Sequence, residues 1–534
     1  MPHFSSPWRL LTVAISLLTL IPLLVIVSSV LTPDVEVWQH LLRYTLPRLL
    51  LNTGYLLLGV GTGVLLLGVP LAWLTAVHDF PGRRFFVWAL MLPLAMPVYV
   101  MAFSQLGLFD FTGPLQSWLR EHYGHSSWVP NIRSTPGVIM VMSLALYPYV
   151  YLLARNAFAS MGRRALEVGQ SLGLSPWQGF LRVALPMARP WIIGGMTLAL
   201  METLADFGTV AIFNFDAFTS AIYKAWFSLF SLPAAKQLAS LLILLVFMLV
   251  WLEQRARGQR AYSPVGRAAP LPRMRLPGVT GWLATLVCAL VLLLAFILPF
   301  AQILWWSAQH LKRDLDADFM LLVGNSLRLS LLAALLVALV ALLLSYAQRR
   351  DDGSAVWARL ATLGYAVPGT VLAVGVFVPV AALDNLLLSW LGTRLPEGTT
   401  AIFKGTLLVL LLAYVARFLA VGHSALDAAM HRISRSQEEA ARNLGEPGWR
   451  LLWRVYLPLL RGGLYTALLM VFVDVMKEMP ITLMTRPFGW DTLAVRIFNL
   501  TTEGEWERAA LPAVAIVLVG LLPVLLLSRQ KEIT

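Results

Sequence analysis

The sequence predicts an all-α polytopic membrane protein, with twelve transmembrane helices arranged as two parallel six-helix repeats. Three observations predict it. Apolar residues make up 58% of the 534 and charged ones only 13%, against about 45–50% and about 25% in soluble domains. Twelve apolar stretches, centred near residues 20, 63, 96, 147, 202, 245, 292, 337, 370, 412, 474 and 519, approach the roughly 20 residues that a helix needs to cross a bilayer. The second half of the chain also echoes the first at a spacing of 271–272 residues.

Taken in order, the first stretch, Leu10–Leu31, follows Arg9 and is apolar for longer than the core of a cleaved signal peptide, so it is expected as a retained anchor. In the second, GVGTGVLLLG (59–68) lacks the strand and helix setting of a nucleotide loop, and its glycines predict close helix packing in lipid. The third contains LAMPVYVMA (94–102), which is echoed by YAVPGTVLA (365–373) with Pro97 over Pro368. His122 and His125 follow in REHYGHSSW at a spacing that permits shared metal ligation, although ordinary loop histidines are the simpler reading.

Charge sets the topology. The net charge of +13 is not interleaved with exposed aromatics in a polar setting, which argues against nucleic acid. Arg83, Arg84, Arg163, Arg164, Arg182, Arg189, Arg349, Arg350 and the cluster from Arg255 to Arg275 fall on one side of the predicted spans. Basic residues favour the cytoplasm, so both termini and the stretches after the fourth and tenth spans are expected there. Six crossings per half make the repeats parallel, over 1–252 and 279–534, with an Arg- and Pro-rich linker at 253–278. The single cysteine, Cys288, excludes an internal disulfide and reads as a packed or lipid-facing thiol.

The clearest part of the repeat lies in two loops, at about 163–190 and 435–462. Residues 167–186 read EVGQSLGLSPWQGFLRVALP and residues 438–458 read EEAARNLGEPGWRLLWRVYLP; at an offset of 272, Glu167 meets Glu439, Gly173 meets Gly445, Trp177 meets Trp449 and Pro186 meets Pro458. Each copy reads as helix, break, helix, with Gly445 suited to a C-cap. The second short helix is expected to place Trp449, Leu452 and Trp453 on one side and Arg450 and Arg454 on the other. Alone, such a helix could lie on the headgroups; its duplication favours a pair of docking elements.

The pattern of Glu, two small or apolar residues, Gly, and Pro thirteen residues later resembles the EAA loop of ABC importer permeases. That resemblance implies the type I ABC importer permease fold. It also implies that Glu167, Gly173, Trp177, Glu439, Ala440, Ala441, Gly445 and Trp449 carry the contact with the ATPase. The first copy departs from the pattern, with Val168 and Gly169 where the second has Ala440 and Ala441. The chain has no phosphate loop and no enzyme signature. By the resemblance, two copies of a cytoplasmic ATP-binding subunit hold ATP and Mg, and this chain binds no cofactor of its own.

After each loop the next span carries two acids: Glu202 and Asp206, then Asp474 and Glu478, again 272 apart and spaced i, i+4 on one predicted helix face. An ionised acid at the bilayer centre costs about 2.5–3.5 kcal/mol, so these residues are expected to face protein or water. They are either paired buttresses, with Lys477 close to Asp474, or the lining of a translocation path giving a cation transient contact.

Longer stretches, such as METLADFGTVAIFNFDAFTSAIYKAWF (201–227) and VMKEMPITLMTRPFGWDTLAVRIFNL (475–500), resemble the fused permeases of ferric iron importers. This implies a bacterial inner-membrane protein receiving Fe3+ from a periplasmic substrate-binding protein, which would land near Asp110 and 214–226, with transport by alternating access. Related architectures import thiamine, a polyamine, a phosphonate or sulfate. Twelve spans in parallel halves also fit a major facilitator transporter.

Overall fold

The computed structural model describes residues 7–31, 35–125, 129–171, 173–257, 273–391, 400–444 and 449–530, with backbone only at 161–170, Pro176, Arg257, Arg435, Arg442, Trp449 and 527–530. Among these residues the regular elements are helices, apart from His78–Asp79 paired in parallel with Met274–Arg275. Ten helices are long and apolar enough to cross a membrane, or up to twelve if each of two bent pairs is one span. The linker expected over 253–278 begins inside the Leu232–Arg257 helix, includes the Met274–Arg275 strand and ends on the first residue of the Gly278–Leu292 helix; 258–272 lie outside the described residues.

The third expected span is not one straight helix. Its centre falls on a break, where Arg83–Ala95 and Val98–Tyr123 meet at 95°. Pro97 is the reason, because the residue before a proline is driven out of the helical region: Met96 is extended at φ −98°, ψ 121°. The equivalent Val367, before Pro368, is extended at φ −94°, ψ 132°. Each is preceded by a four-residue 3₁₀ turn, Leu92–Ala95 and Leu363–Ala366, and followed by a helix starting at Val98 or Gly369. The faint sequence echo is thus a shared backbone device.

Prolines shape a second recurring feature. Five-residue π turns span Leu41–Thr45, Phe180–Ala184, Leu293–Ile297 and Leu452–Tyr456, each two residues before a proline: Pro47, Pro186, Pro299 and Pro458. A proline ring clashes with the carbonyl four residues back and offers no N–H; widening the turn just ahead of it lets the helix continue. In the widened register the carbonyl that faces the proline lies five residues back, and it needs another donor. At Leu294 that donor is Gln105 Nε2, 2.8 Å away, while Ser104 Oγ donates to Pro299 O at 2.8 Å.

The chain forms two compact units that cut across the sequence halves. One gathers Met1–His40, Ala221–Ile243 and Leu315–Arg496; the other Leu41–Ser220, Leu244–Asp314 and Ile497–Thr534. In the first unit the N-terminal helix, Pro7–Ser28, packs on Ala317–Arg350, Ser354–Ala361 and Gly369–Leu391. Arg9 makes a bidentate ion pair with Asp351 at 2.8 and 2.9 Å, which holds that carboxyl below its usual range. Thr12 donates to Ser354 Oγ at 3.2 Å and Ser16 to Trp357 O at 2.6 Å.

In the second unit Leu46–Val77, Thr135–Ser171 and Leu185–Ala205 pack mutually. The glycines of 59–68 do what their spacing suggests. Side chains at Gly59, Gly63 and Gly68 would collide with Ile139, Ser143 and Val150, three successive contacts along the Thr135–Ser171 helix. Cys288 is fully buried, a packed thiol.

Gly195 approaches the other side of Val150, and a Cβ there would lie 2.7 Å from the Val150 Cα and 2.8 Å from the Tyr149 carbonyl. Backbone cannot step aside as a side chain can. Gly195→Val is expected to force the two helices apart at about 1–3 kcal/mol, lowering the melting temperature of the detergent-purified protein by roughly 2–12 °C. Gly54→Val, where nothing lies within 4 Å, should leave it unchanged.

Candidate functional site: two loops and two broken helices

The first loop continues from the Thr135–Ser171 helix, whose backbone carries Glu167. It turns at Gly173, where φ is +81°, a region open to glycine and closed to most side chains. Ser175 and Gln178 then cap the next helix reciprocally, Ser175 N–H donating to Gln178 Oε1 at 3.0 Å and Gln178 N–H to Ser175 Oγ at 3.3 Å. Trp177 is 67% exposed. Behind it lies an aromatic cluster: Phe180 is 4.7 Å from Trp73, which is 5.2 Å from Phe158.

In the second loop the same reciprocal cap, Ser434 with Gln437, starts the Arg435–Asn443 helix. Glu439 and Ala440 are exposed, and Ala441 is buried. Gly445 lies outside the described residues. Trp449 opens the Trp449–Leu451 helix. The face expected beyond it is corrected: Leu451, Leu452 and Tyr456 point inward while Trp453 is 56% exposed. The π turn over Leu452–Tyr456 has more residues per turn than the α-helix on which that face was drawn.

The charged residue that anchors this loop is Glu438, one position before the expected glutamate. It is 6% exposed; its carboxylate accepts a 2.8 Å hydrogen bond from the Tyr456 hydroxyl and lies 3.6 Å from both Arg349 and Arg350. Sequence reading assigned those arginines to topology alone. The signal that could have found the anchor is a doubled Glu where the first copy has Leu166 and Glu167. Beside it opens a cavity of about 550 Å³, lined by Arg349, Asp352, Asp427, His431, Glu438 and Glu439 among others.

The four acids of the next spans are not equivalent within each pair. The helices end at Ala205 and Lys477, so Asp206 (ψ 126°) and Glu478 (ψ 122°) have left the helix on which an i, i+4 face was expected. They cap the short helices that follow. Asp206 accepts from the Thr209 N–H at 2.8 Å, the Thr209 hydroxyl at 3.0 Å and the Val210 N–H at 3.4 Å. Glu478 accepts from the Ile481 and Thr482 N–H groups, both at 3.1 Å, and from the Thr482 hydroxyl at 3.2 Å. A helix N-terminus presents unpaired N–H groups and a favourable dipole, which is what an acid in lipid needs.

Glu478 is 6% exposed, whereas Glu202, Asp206 and Asp474 are partly accessible. Gly369 lies against Glu478: a Cβ there would sit 2.8 Å from Glu478 Oε1 and 3.1 Å from an Arg417 guanidinium nitrogen. Beyond each broken helix an asparagine that sequence reading passed over ties down the chain. Asn52 Nδ2 donates to Asp216 O at 2.8 Å, and Asn325 Nδ2 to Gly489 O at 3.1 Å and Asp491 O at 3.3 Å. His122 and His125 engage the carbonyls of Trp118 and Tyr123. Among the described residues no three His, Cys, Asp or Glu side chains are grouped to hold a metal.

Two matched loops, each followed by a span broken at an acid, are a duplicated functional unit, and comparison with known proteins says of what kind. The family described as "Binding-protein-dependent transport system inner membrane component" matches twice, over 68–258 and 330–532. The chain belongs to that family. It is therefore a multi-pass inner-membrane permease of the ABC importer class, which implies ATPase and periplasmic binding-protein partners. The Fe(3+)-transport system permease protein FbpB 2 of Haemophilus influenzae is 27% identical over 99% of this chain and 99% of its own length. The putative ferric transport system permease protein FbpB 1 of the same organism is 24% identical over 74% of this chain and 63% of its own length. The sulfate transport system permease protein CysW of Escherichia coli is 32% identical, over 28% of this chain and 49% of its own length.

If the permease's broken helices rest on their caps, acceptor capacity and not charge alone decides their stability. Asp206→Asn, which keeps an acceptor, is expected to cost less than Asp206→Ala, which removes the cap at about 0.5–2 kcal/mol; thermal unfolding in detergent separates the two. At the second loop, Glu438→Ala is expected to lower the melting temperature by stripping buried groups of their partner, about 1–3 kcal/mol. Glu439→Ala, at an exposed site, should not.

Proposed function

We propose that this chain is the membrane-spanning permease of a ferric iron importer, moving Fe3+ from a periplasmic binding protein across the inner membrane by alternating access. The reading rests above all on the relation to FbpB 2 along the whole chain. The duplicated loops support the class. On this reading the chain is two fused permease repeats, 1–252 and 279–534, that together provide twelve spans with both termini in the cytoplasm. Two copies of a separate ATP-binding subunit hydrolyse ATP with Mg, one at each loop.

In that scheme Glu167, Gly173 and Trp177 in one loop, and Glu439, Ala440, Ala441, Gly445 and Trp449 in the other, meet the ATPase, as a short helix laid in a groove. The exposed Trp177 and Glu439 suit such a contact. ATP-driven closure of the motor moves the loops, and rigid helices pass the displacement to the broken spans. Glu202, Asp206, Asp474 and Glu478 give the cation transient contacts along its path. Conduction requires release as well as entry, and acids that already accept backbone N–H bonds make weak competitors for a trivalent ion. Glu478, the most buried, suits the role of holding the path's shape.

The intramembrane acids also favour a cationic cargo over sulfate or a phosphonate. Proteoliposomes holding the permease, its ATPase and its binding protein are expected to accumulate Fe3+ with ATP, and not thiamine or sulfate. Replacing Glu202, Asp206 and Asp474 together by amides should lower uptake at least tenfold. ATP-dependent uptake of thiamine instead of iron would overturn the cargo assignment, and unchanged iron uptake in the triple variant would overturn the path.

A further inference from the structure

The two loops are related by sequence, yet they are fastened by different chemistry. Behind the first lies the apolar cluster of Trp73, Phe158 and Phe180. Behind the second lies a polar clamp: Glu438, its hydrogen bond from Tyr456, and Arg349 and Arg350 at 3.6 Å. The repeat offset of 272 places Leu166 and Ala184 where the second half has Glu438 and Tyr456. Offsets of 271–273 bring Ala76, Val77, His78 and Asp79 to the positions of the two arginines. The clamp's residues therefore have no chemical counterparts at the equivalent positions of the first copy.

The clamp also extends away from the loop. The Tyr456 ring packs edge-on against Tyr346 at 5.4 Å, and Tyr346 packs edge-on against Trp8 at 4.9 Å. Arg350 donates to the Tyr346 hydroxyl at 2.8 and 3.0 Å, closing the polar side of the same chain. Next to Trp8, Arg9 is paired with Asp351 at 2.8 Å. Gly353 fits beneath the Arg9 guanidinium because it has no side chain to collide with it. A continuous set of contacts thus runs from the second loop through three aromatic rings to the N-terminal helix.

We propose that this relay makes the two docking loops unequal: the second is the one whose displacement is carried into the N-terminal helix, with Trp8 and Tyr456 as positioning residues. Both loops rest on edge-on aromatic contacts, but the second adds a buried carboxylate held by a hydroxyl hydrogen bond and flanked by two guanidinium groups. Such directional, charge-assisted contacts resist deformation more strongly than aromatic packing alone, so a push on Glu438 is passed on instead of absorbed. The inference deepens the functional reading above and rests on it.

The experiment uses the full complex of permease, ATPase and binding protein in lipid nanodiscs and proteoliposomes, and reads ATPase retention, basal hydrolysis and iron transported per ATP. Tyr456→Phe keeps the ring and removes the hydroxyl from Glu438. It is expected to keep the ATPase bound and basal hydrolysis intact while transport per ATP falls about tenfold, within the range of site-to-site coupling. Trp8→Leu, at the far end, should lower the same ratio about threefold, Trp8→Phe should restore it, and Trp8→Leu with Tyr456→Phe should be no worse than Tyr456→Phe alone. Additive losses, or wild-type transport per ATP in Tyr456→Phe, would sink the relay. A wild-type chain that fails to retain the ATPase or to move iron would instead sink the functional reading on which it stands.

Discussion

A backbone amide or carbonyl left without a partner in hydrocarbon costs several kcal/mol, and this constraint accounts for the broken spans and the wide turns ahead of prolines. Asp206 and Glu478 end one helix and immediately accept the first N–H groups of the next. A span can therefore break at an acid without leaving these donors bare. The wide turns ahead of Pro47, Pro186, Pro299 and Pro458 answer the same demand from the other direction. In the first loop the closing Pro186 does not end a helix, because the turn widens ahead of it and the chain runs on to Ala205; after Pro458 the helix stops at Leu459 and resumes at Arg461, bent by 68°.

Seen this way, the intramembrane acids need not be unpaired charges awaiting a cargo. A carboxylate at a helix N-terminus is partly neutralised by the dipole and by its hydrogen bonds, which lowers both its cost in lipid and its grip on a passing ion. On the proposed function, a structural buttress and a weak contact for a cation would be one arrangement at Asp206 and Glu478, not two competing ones. Accessibility separates the residues within it: Glu478 is closed off and set beside Gly369 and Arg417, while Glu202, Asp206 and Asp474 are partly accessible.

Duplication preserved backbone geometry more faithfully than side-chain chemistry. The 3₁₀ turns before Pro97 and Pro368, the π turns of the two loops and the breaks at Asp206 and Glu478 recur at offsets of 271–272. What fills the space behind the loops recurs only in part: an aromatic cluster backs the first, whereas behind the second an ionic clamp is added to an apolar cluster that includes Tyr346, Leu451, Leu452 and Tyr456. Turn geometry depends on a few residues with special backbone preferences, and these survive. Packing depends on many neighbours that are free to change together.

Much was legible in the residues alone. Hydrophobic length marked most of the candidate spans, since the thickness of a bilayer is a fixed ruler; the spacing of Gly59, Gly63 and Gly68 marked a close helix contact; and the repeated loop marked the permease family. Glu438 was not legible, because its importance comes from Arg349, Arg350 and Tyr456, which reach it from other helices. Nor was the end of the helix before Asp206 and Glu478, where an i, i+4 acid spacing that suits one helix face gave way to a cap on the following turn. Local chemistry by itself determined the helices, the prolines and the repeat. Only tertiary structure decided which chemically similar acids are exposed, which are caps and which one anchors a loop, because burial and partnership belong to residues that meet in space and not along the chain.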